Sequence, residues 1–323
     1  MVGRDSPAVF LGCMDFLKHN EEKNVFDVKL PERMKMMKRS IGTFEIDGLT
    51  IEYSRVGEGK PILVMHGGHS NCREEFGYRD LYESRFSIIT PSRAGYGRTS
   101  KEIGDSLELA CYYYMKLLDH LNIEKVHVVA VSAGGPSGIC FASKYPERVE
   151  SLILQSAVTK QWLTAKDIEY KVGQIIFRPP VEKTVWKLIS ALNNRFPEWT
   201  FKKMLSSFTT LPADQALLKV TEGDIEEMRK MNNRQRSSRG FLLDLKNIDD
   251  LSFHHLKKIS CPVLIMHSRY DRLVPAEHAY HAKELIPFSE VYEADSWGHL
   301  IWLGTEAKSV SQKVISFLKT TSS

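Results

Sequence analysis

Three well-separated stretches of this 323-residue chain carry residue types suited to covalent acyl chemistry. They are a serine in AVSAGG (130–135), an aspartate in HSRYDRLVP (267–275) and a histidine in SWGH (296–299). A serine hydroxyl is a weak nucleophile. It needs a base to take its proton, a carboxylate to orient that base, and donors for the oxyanion that forms on attack. Ser132 is the candidate nucleophile, because it follows the apolar run VHVVAV (126–131) and is flanked by small residues two before and two after, Ala130 and Gly134. A tight strand-to-helix turn demands that pattern. Taken alone, the stretch also reads as a helix N-cap. A phosphate-binding turn fits less well, because both the Walker lysine and the spaced G-x-G-x-x-G pattern are missing.

His299 is the candidate base. Ten other histidines are present, but His267 ends an apolar run, His254 and His255 sit in a polar connection, and His278 and His281 fall on a helical pattern. Only His299 lies in a glycine-flanked loop after the last strand pattern. Asp271 is the candidate orienter. By itself it reads as a turn aspartate before Pro275, but the chain order Ser132, Asp271, His299 is the order such a site takes on a sheet with this layout. HGGHS (66–70), after the run PILVM, supplies glycines whose N–H groups can face a substrate oxygen. Gly68 and Ala133 are the expected oxyanion donors, with His69 as an alternative to Gly68.

These residues need a frame that brings distant loops together. IGTFEI and LTIEYSRV flank Asp47-Gly48, a hairpin signal. Short apolar runs at 61–66, 86–90, 126–131, 151–157 and 261–267 read as buried strands, and SEVYEA (289–294) as a further strand. Helical patterns fall between them at 106–123, 133–145 and 276–286, with a last helix expected from about His299. The alternation predicts an α/β fold: a mostly parallel twisted sheet of about eight strands with helices on both faces. It is interrupted at 159–248 by helical segments, expected as a cap over the strand ends. The expected organisation is an extension at 1–39, a core at 40–158 and 249–323, and the cap at 159–248. PERMKMMKR (31–39) reads as a solvated leader or a short basic helix.

Composition narrows the function classes. A net charge of +4 spread over 84 charged side chains points to neither a nucleic-acid nor a membrane partner. No stretch approaches the ~20 apolar residues of a membrane span. The run AVFLGCM (8–14) lacks the flanks of an export signal. The five cysteines (Cys13, Cys72, Cys111, Cys140, Cys261) are odd in number and widely spaced, as expected of reduced thiols in a cytoplasm. No metal or organic cofactor is expected. The expected partner is a small-molecule substrate, and the sequence leaves the oligomeric state open.

Five motifs in order, HGG (66–68), PSRAGYGRTS (91–100), AVSAGG (130–135), HSRYDRLVP (267–275) and SWGH (296–299), resemble those of the α/β-hydrolase fold superfamily, in its cap-bearing Ser-His-Asp branch. The resemblance covers about residues 40–320 and implies a hydrolase acting through an acyl-enzyme on an ester-like substrate. The same triad also serves carbon–carbon bond hydrolysis, aminopeptidases, acyl transfer and cofactor-free perhydrolysis, and some members bind ligands with little or no turnover. A serine at 132 disfavours the dehalogenase and epoxide-hydrolase branches, which use aspartate. The chain departs from the family pattern at Ala130, at Ser92 (often Asp) and at Ser268 (often Gly).

Overall fold

The computed structural model describes residues 38–164 and 166–322. Eight strands form one sheet: β1 (Arg39–Ile46), β2 (Leu49–Val56), β3 (Lys60–Met65), β4 (Phe86–Pro91), β5 (Val126–Val131), β6 (Val149–Gln155), β7 (Val263–Ser268) and β8 (Ser289–Ala294). Their spatial order is β1-β2-β4-β3-β5-β6-β7-β8. The first two strands are antiparallel and β2 also meets β4 antiparallel. From β4 onward every neighbouring pair is parallel. The lead hairpin turns at Asp47 and Gly48, both at positive φ (54° and 73°), which is the backbone an Asp-Gly pair favours. The extension expected at 1–39 and its basic helix lie outside the described residues up to position 37, and β1 opens at Arg39.

Alternate strand residues point to opposite faces. Leu63, Met65, Val128 and Ala130 pack one way, against the helices Leu107–His120, Gly135–Lys144 and Glu277–Leu285. Ile62, Val64, Val129, Leu264 and Met266 pack the other way, against Tyr78–Glu83 and Ala307–Thr320. The sheet is therefore buried on both sides, which is why its strands read as near-continuous apolar runs.

Between β6 and β7 the described residues form seven α-helices: Ile168–Ile176, Val181–Arg195, Pro197–Phe208, Ala213–Leu218, Glu222–Arg234, Gly240–Asn247 and Phe253–Lys257. The short ones at 213–218 and 240–247 escape a periodicity reading because they offer too few turns. Most aromatic residues here pack internally or onto the body. Phe177, Trp186 and Phe241 form one cluster, while Phe201 and Phe208 join Trp297 in another. The C-terminal helix begins at Ala307 instead of near His299. The backbone N–H groups of His299 and Thr305 donate outward, to the carbonyls of Phe208 and Lys219, so this stretch runs as isolated turns instead of a continuous helix.

The elbow after β5 is tight. Ser132 sits at φ 50°, a left-handed conformation that costs a non-glycine residue about 1–2 kcal/mol. Its carbonyl accepts the Val158 N–H at 3.0 Å, which holds the turn from the β6 side. A β-carbon on Gly134 would lie 2.2 Å from the Met65 carbonyl oxygen, so only glycine fits there. The departure at Ala130 has a matching space, because a β-carbon on Gly138 would lie 2.4 Å from the Ala130 Cβ. Gly138→Ala is therefore expected to destabilise the protein by about 1–3 kcal/mol. Adding Ala130→Gly should recover much of that loss in chemical denaturation, whereas simple addition of the two single effects would contradict the account.

Candidate active site

Four loops meet at the C-terminal ends of β3, β5, β7 and β8, the edge of a parallel sheet where binding crevices form. They deliver Gly68, Ser132, Asp271 and His299 respectively. His299 Nδ1 lies 2.7 Å from Asp271 Oδ2, and His299 Nε2 lies 3.0 Å from Ser132 Oγ. A carboxylate only accepts, so Nδ1 carries the proton and Nε2 presents its lone pair to the serine hydroxyl. All three expected residues thus stand in one hydrogen-bonded row.

Each member is held from behind. Asp271 is buried, and its Oδ1 accepts the Val274 N–H at 2.9 Å. His267 Nε2 lies 3.2 Å from Asp271 Oδ2 and 2.7 Å from the Val274 carbonyl oxygen. Burial alone would raise the Asp271 pKa. The charge and hydrogen bond of His299, together with the hydrogen bond from His267, outweigh burial and hold it below the usual aspartate value. The His299 carbonyl accepts from Ser156 Oγ at 2.8 Å. Its N–H donates to the Phe208 carbonyl at 2.9 Å, and Thr210 N–H donates to Tyr270 O at 2.9 Å. Thr209 forms an isolated antiparallel bridge with Asp271. One extended stretch from the helical segment therefore steadies both the Asp271 and the His299 loops. It also explains the glycine of SWGH, since a β-carbon on Gly298 would lie 2.4 Å from Phe208 O.

The loop after β3 presses against the elbow. A β-carbon on Gly67 would sit 3.4 Å from Ser132 Cβ, and one on Gly68 would sit 3.7 Å from Ala133 Cβ. Arg93, buried, donates through Nε to His66 O at 2.7 Å and through Nη2 to Gly67 O at 3.4 Å. Its backbone N–H donates to His66 Nε2 at 2.9 Å, which leaves His66 Nδ1–H to donate to Gly67 O at 2.8 Å. Beyond the loop, Arg93 makes a two-pronged pair with Asp244, one prong measuring 2.8 Å, and Tyr96 donates to the same carboxylate at 2.6 Å. Burial would lower the Arg93 pKa, but the Asp244 carboxylate overrides it and keeps the guanidinium charged. His69, at φ 61°, packs between Phe177 and Phe241, each 4.2 Å away ring to ring. Its N–H points to Tyr96 OH at 3.4 Å.

Sequence reasoning missed Arg93, His66 and Asp244. A buried arginine in PSRAGYG was visible as a motif, but its partner 151 residues away was not. The missing aspartate at position 92 also has a substitute. Ser92 Oγ donates to Glu52 Oε2 at 2.9 Å, and that oxygen also accepts the Arg98 N–H at 3.1 Å, so β2 supplies the buried carboxylate. At the third departure, Ser268 Oγ donates to Ser296 O at 2.9 Å and so ties the β7 loop to the β8 loop.

Burial and the charge of Arg93 hold His66 well below its ordinary pKa and His69 at about 3; burial and Lys160 hold His278 at about 3. Their unfolded values lie near 6.5. Below that pH the unfolded chain binds protons that the folded protein refuses, so stability is present above about 6.5 and is lost as pH falls towards about 3. Each group contributes up to ~1.4 kcal/mol per pH unit. Melting temperature is expected to drop with growing steepness from pH 6.5 to 4.5, and His69→Gln should flatten that drop. A flat profile in the parent protein would contradict these assignments.

Among the described residues, no group of three or more His, Cys, Asp or Glu is arranged to hold a metal ion, and no helix is long and apolar enough to cross a membrane.

A parallel sheet with antiparallel lead strands, carrying a serine on a left-handed turn after its middle strand, is the architecture of an α/β hydrolase. The chain belongs to the α/β hydrolase fold family, whose sequence model matches residues 60–304, and it is a hydrolase of that fold. It is similar to the uncharacterized hydrolase YcgS of Bacillus subtilis, 62% identical over 283 residues, covering 88% of this chain and all of the relative. A more distant relative is a 2-hydroxy-6-oxononadienedioate/2-hydroxy-6-oxononatrienedioate hydrolase of Klebsiella pneumoniae, 28% identical over 84% of this chain and 91% of its own. Among solved structures, an α/β hydrolase fold protein from Nakamurella multipartita superposes with a TM-score of 0.75 at 21% identity, covering 86% of this chain and 99% of that one.

Proposed function

We propose that this hydrolase cleaves small ester-like substrates through an acyl-enzyme on Ser132, with His299 as base and Asp271 as orienter. The observation that carries the reading is the hydrogen-bonded row from Ser132 Oγ through His299 to Asp271, at 3.0 and 2.7 Å. In the first half-reaction His299 Nε2 takes the hydroxyl proton as Ser132 Oγ attacks the ester carbonyl. The resulting oxyanion is bound by the N–H groups of Ala133 and Gly68, and His299 then protonates the departing alkoxide. A water activated by the same imidazole releases the acid. Asp271 keeps the proton on Nδ1 and stabilises the imidazolium.

Gly68 is preferred over His69 as the second donor. The Gly67 carbonyl is held by His66 and Arg93, and in a trans peptide the following N–H points the opposite way. The His69 N–H is already turned to Tyr96 OH. Ala133 lies in the helical turn Ser132–Gly134 that leads into the helix Gly135–Lys144, whose partial positive end favours the oxyanion.

The helical stretch 159–248 is read as a lid on the core formed by 40–158 and 249–323, and its Phe177 and Phe241, packed on His69 beside the β3 loop, favour an apolar acyl group. A cytoplasmic location is supported by the free, buried thiols of Cys72, Cys111, Cys140 and Cys261. No metal or organic cofactor is needed for this chemistry.

A second reading is carbon–carbon bond hydrolysis by the same row. The named substrate of the Klebsiella relative contains a ketone and carboxylates but no ester, so its hydrolysis must break a carbon–carbon bond. Aryl esters of graded chain length, run beside a 2-hydroxy-6-oxodienoate, separate the two. Faster turnover of an ester supports the first reading, and faster turnover of the dienoate supports the second. If neither is consumed and a fluorophosphonate leaves Ser132 unmodified, the chain is a ligand-binding member of the fold.

A further inference from the structure

The hydrogen bonds behind the β3 loop have a consequence for the reaction proposed above. An oxyanion donor works only if its N–H is aimed before the charge develops. The Gly68 N–H has no side chain of its own to aim it; its direction is set by the peptide plane it shares with the Gly67 carbonyl. That carbonyl is gripped by His66 Nδ1 at 2.8 Å and by Arg93 Nη2 at 3.4 Å, while Arg93 Nε holds the preceding carbonyl at 2.7 Å. Arg93 itself is anchored by Asp244, which lies in the helix Gly240–Asn247, outside the sheet and its loops. Tyr96 braces the carboxylate and also receives the His69 N–H. His69 O accepts the Arg236 N–H at 2.8 Å, so the loop is tied to the same stretch of chain at a second point.

We infer that Asp244 is a positioning residue for the oxyanion donor: through Arg93 it fixes the Gly67–Gly68 peptide, so that the helical segment between β6 and β7 completes the oxyanion site when it is docked. This rests on the acyl-enzyme reading. When the Arg93–Asp244 pair separates, the guanidinium is free to leave the loop carbonyls; the Gly67 carbonyl then keeps only the His66 Nδ1–H, and the aim of the Gly68 N–H loosens. The Ser132–His299–Asp271 row makes none of its hydrogen bonds to that pair. The expected signature is therefore loss of turnover with little change in ground-state binding.

The test uses the full chain and Asp244→Asn, which keeps the side-chain shape and removes the charge. Activity is counted per serine titrated by a fluorophosphonate, so unfolded molecules do not enter. With an aryl ester, kcat is expected to fall about 10- to 100-fold, below the ~10²–10³ of deleting a donor outright, while KM stays within about threefold. Affinity for a trifluoromethyl ketone, whose hemiketal oxygen occupies the oxyanion site, should fall in parallel with kcat/KM. Arg93→Lys, which keeps the charge but cannot span both carbonyls and Asp244, should show the same split and serves as the second variant if Asp244→Asn does not fold.

Parent-like kcat in the folded variants, or a loss confined to KM with the ketone affinity unchanged, overturns the inference while leaving the acyl-enzyme reading intact. A parent protein that neither labels nor turns over ester, or a Ser132→Ala form that does both, overturns the two together.

Discussion

Ser132→Ala is expected to lower kcat/KM for an aryl ester by about 10⁴–10⁶-fold, with no fluorophosphonate adduct and a melting temperature close to that of the parent. Only the hydroxyl is lost. The backbone stays held by the Val158 N–H on the Ser132 carbonyl, and alanine keeps the β-carbon at the same left-handed position. His299 retains its bond to Asp271 at 2.7 Å, so the proposed base remains oriented with nothing to activate except water. Residual turnover of ~10³–10⁴ over the uncatalysed rate would reflect the oxyanion donors and binding alone. Steady-state kinetics beside a thermal melt reads both quantities. Parent-like turnover in a folded variant would remove Ser132 from the mechanism.

Asp271→Asn should cost about 10⁴-fold in kcat, for a reason that can be followed atom by atom. Oδ1 accepts the Val274 N–H at 2.9 Å, so the amide oxygen of an asparagine is held on that side. Its NH2 then faces His299 Nδ1, where the carboxylate oxygen stood at 2.7 Å. Two donors cannot meet, so His299 is driven to carry its proton on Nε2, facing Ser132, and can no longer act as base. The substituted amide also meets His267 Nε2, now 3.2 Å from Asp271 Oδ2, so repacking in that corner is expected. Rate measurements across pH 6–9, with labelling by fluorophosphonate slowed in proportion, check this. A loss of tenfold or less would mean that Asp271 does not set the tautomer.

The parts of the fold that were legible in the sequence were those governed by local rules. Asp47-Gly48 marked the hairpin because both residues tolerate positive φ. The β5 run followed by Ala130 to Gly135 marked the elbow because the turn admits only small residues. The chain order Ser132, Asp271, His299 links the three residues without any distance. What stayed hidden depends on tertiary register. Nothing near Asp244 in GFLLDLKN signals an arginine in the loop after β4, and the Phe208 carbonyl that receives His299 N–H is backbone, which no side-chain motif encodes. The departures from the family pattern became intelligible only through neighbours distant in sequence. Ala130 fits because Gly138 lacks a side chain, and Ser92 stands one hydrogen bond from the Glu52 carboxylate.

The central claim is that Ser132 carries the acyl group. Its most direct measurement is peptide mapping by mass spectrometry of the parent protein after brief reaction with a fluorophosphonate and, separately, after acid quench during turnover of an aryl ester. The account predicts one adduct per chain in each case, on Ser132 in the peptide that contains VVAVSAGGPSG, and absent from His299→Ala under the same exposure. An adduct on another residue, or ester turnover at full rate with Ser132 unmodified in both experiments, would contradict it.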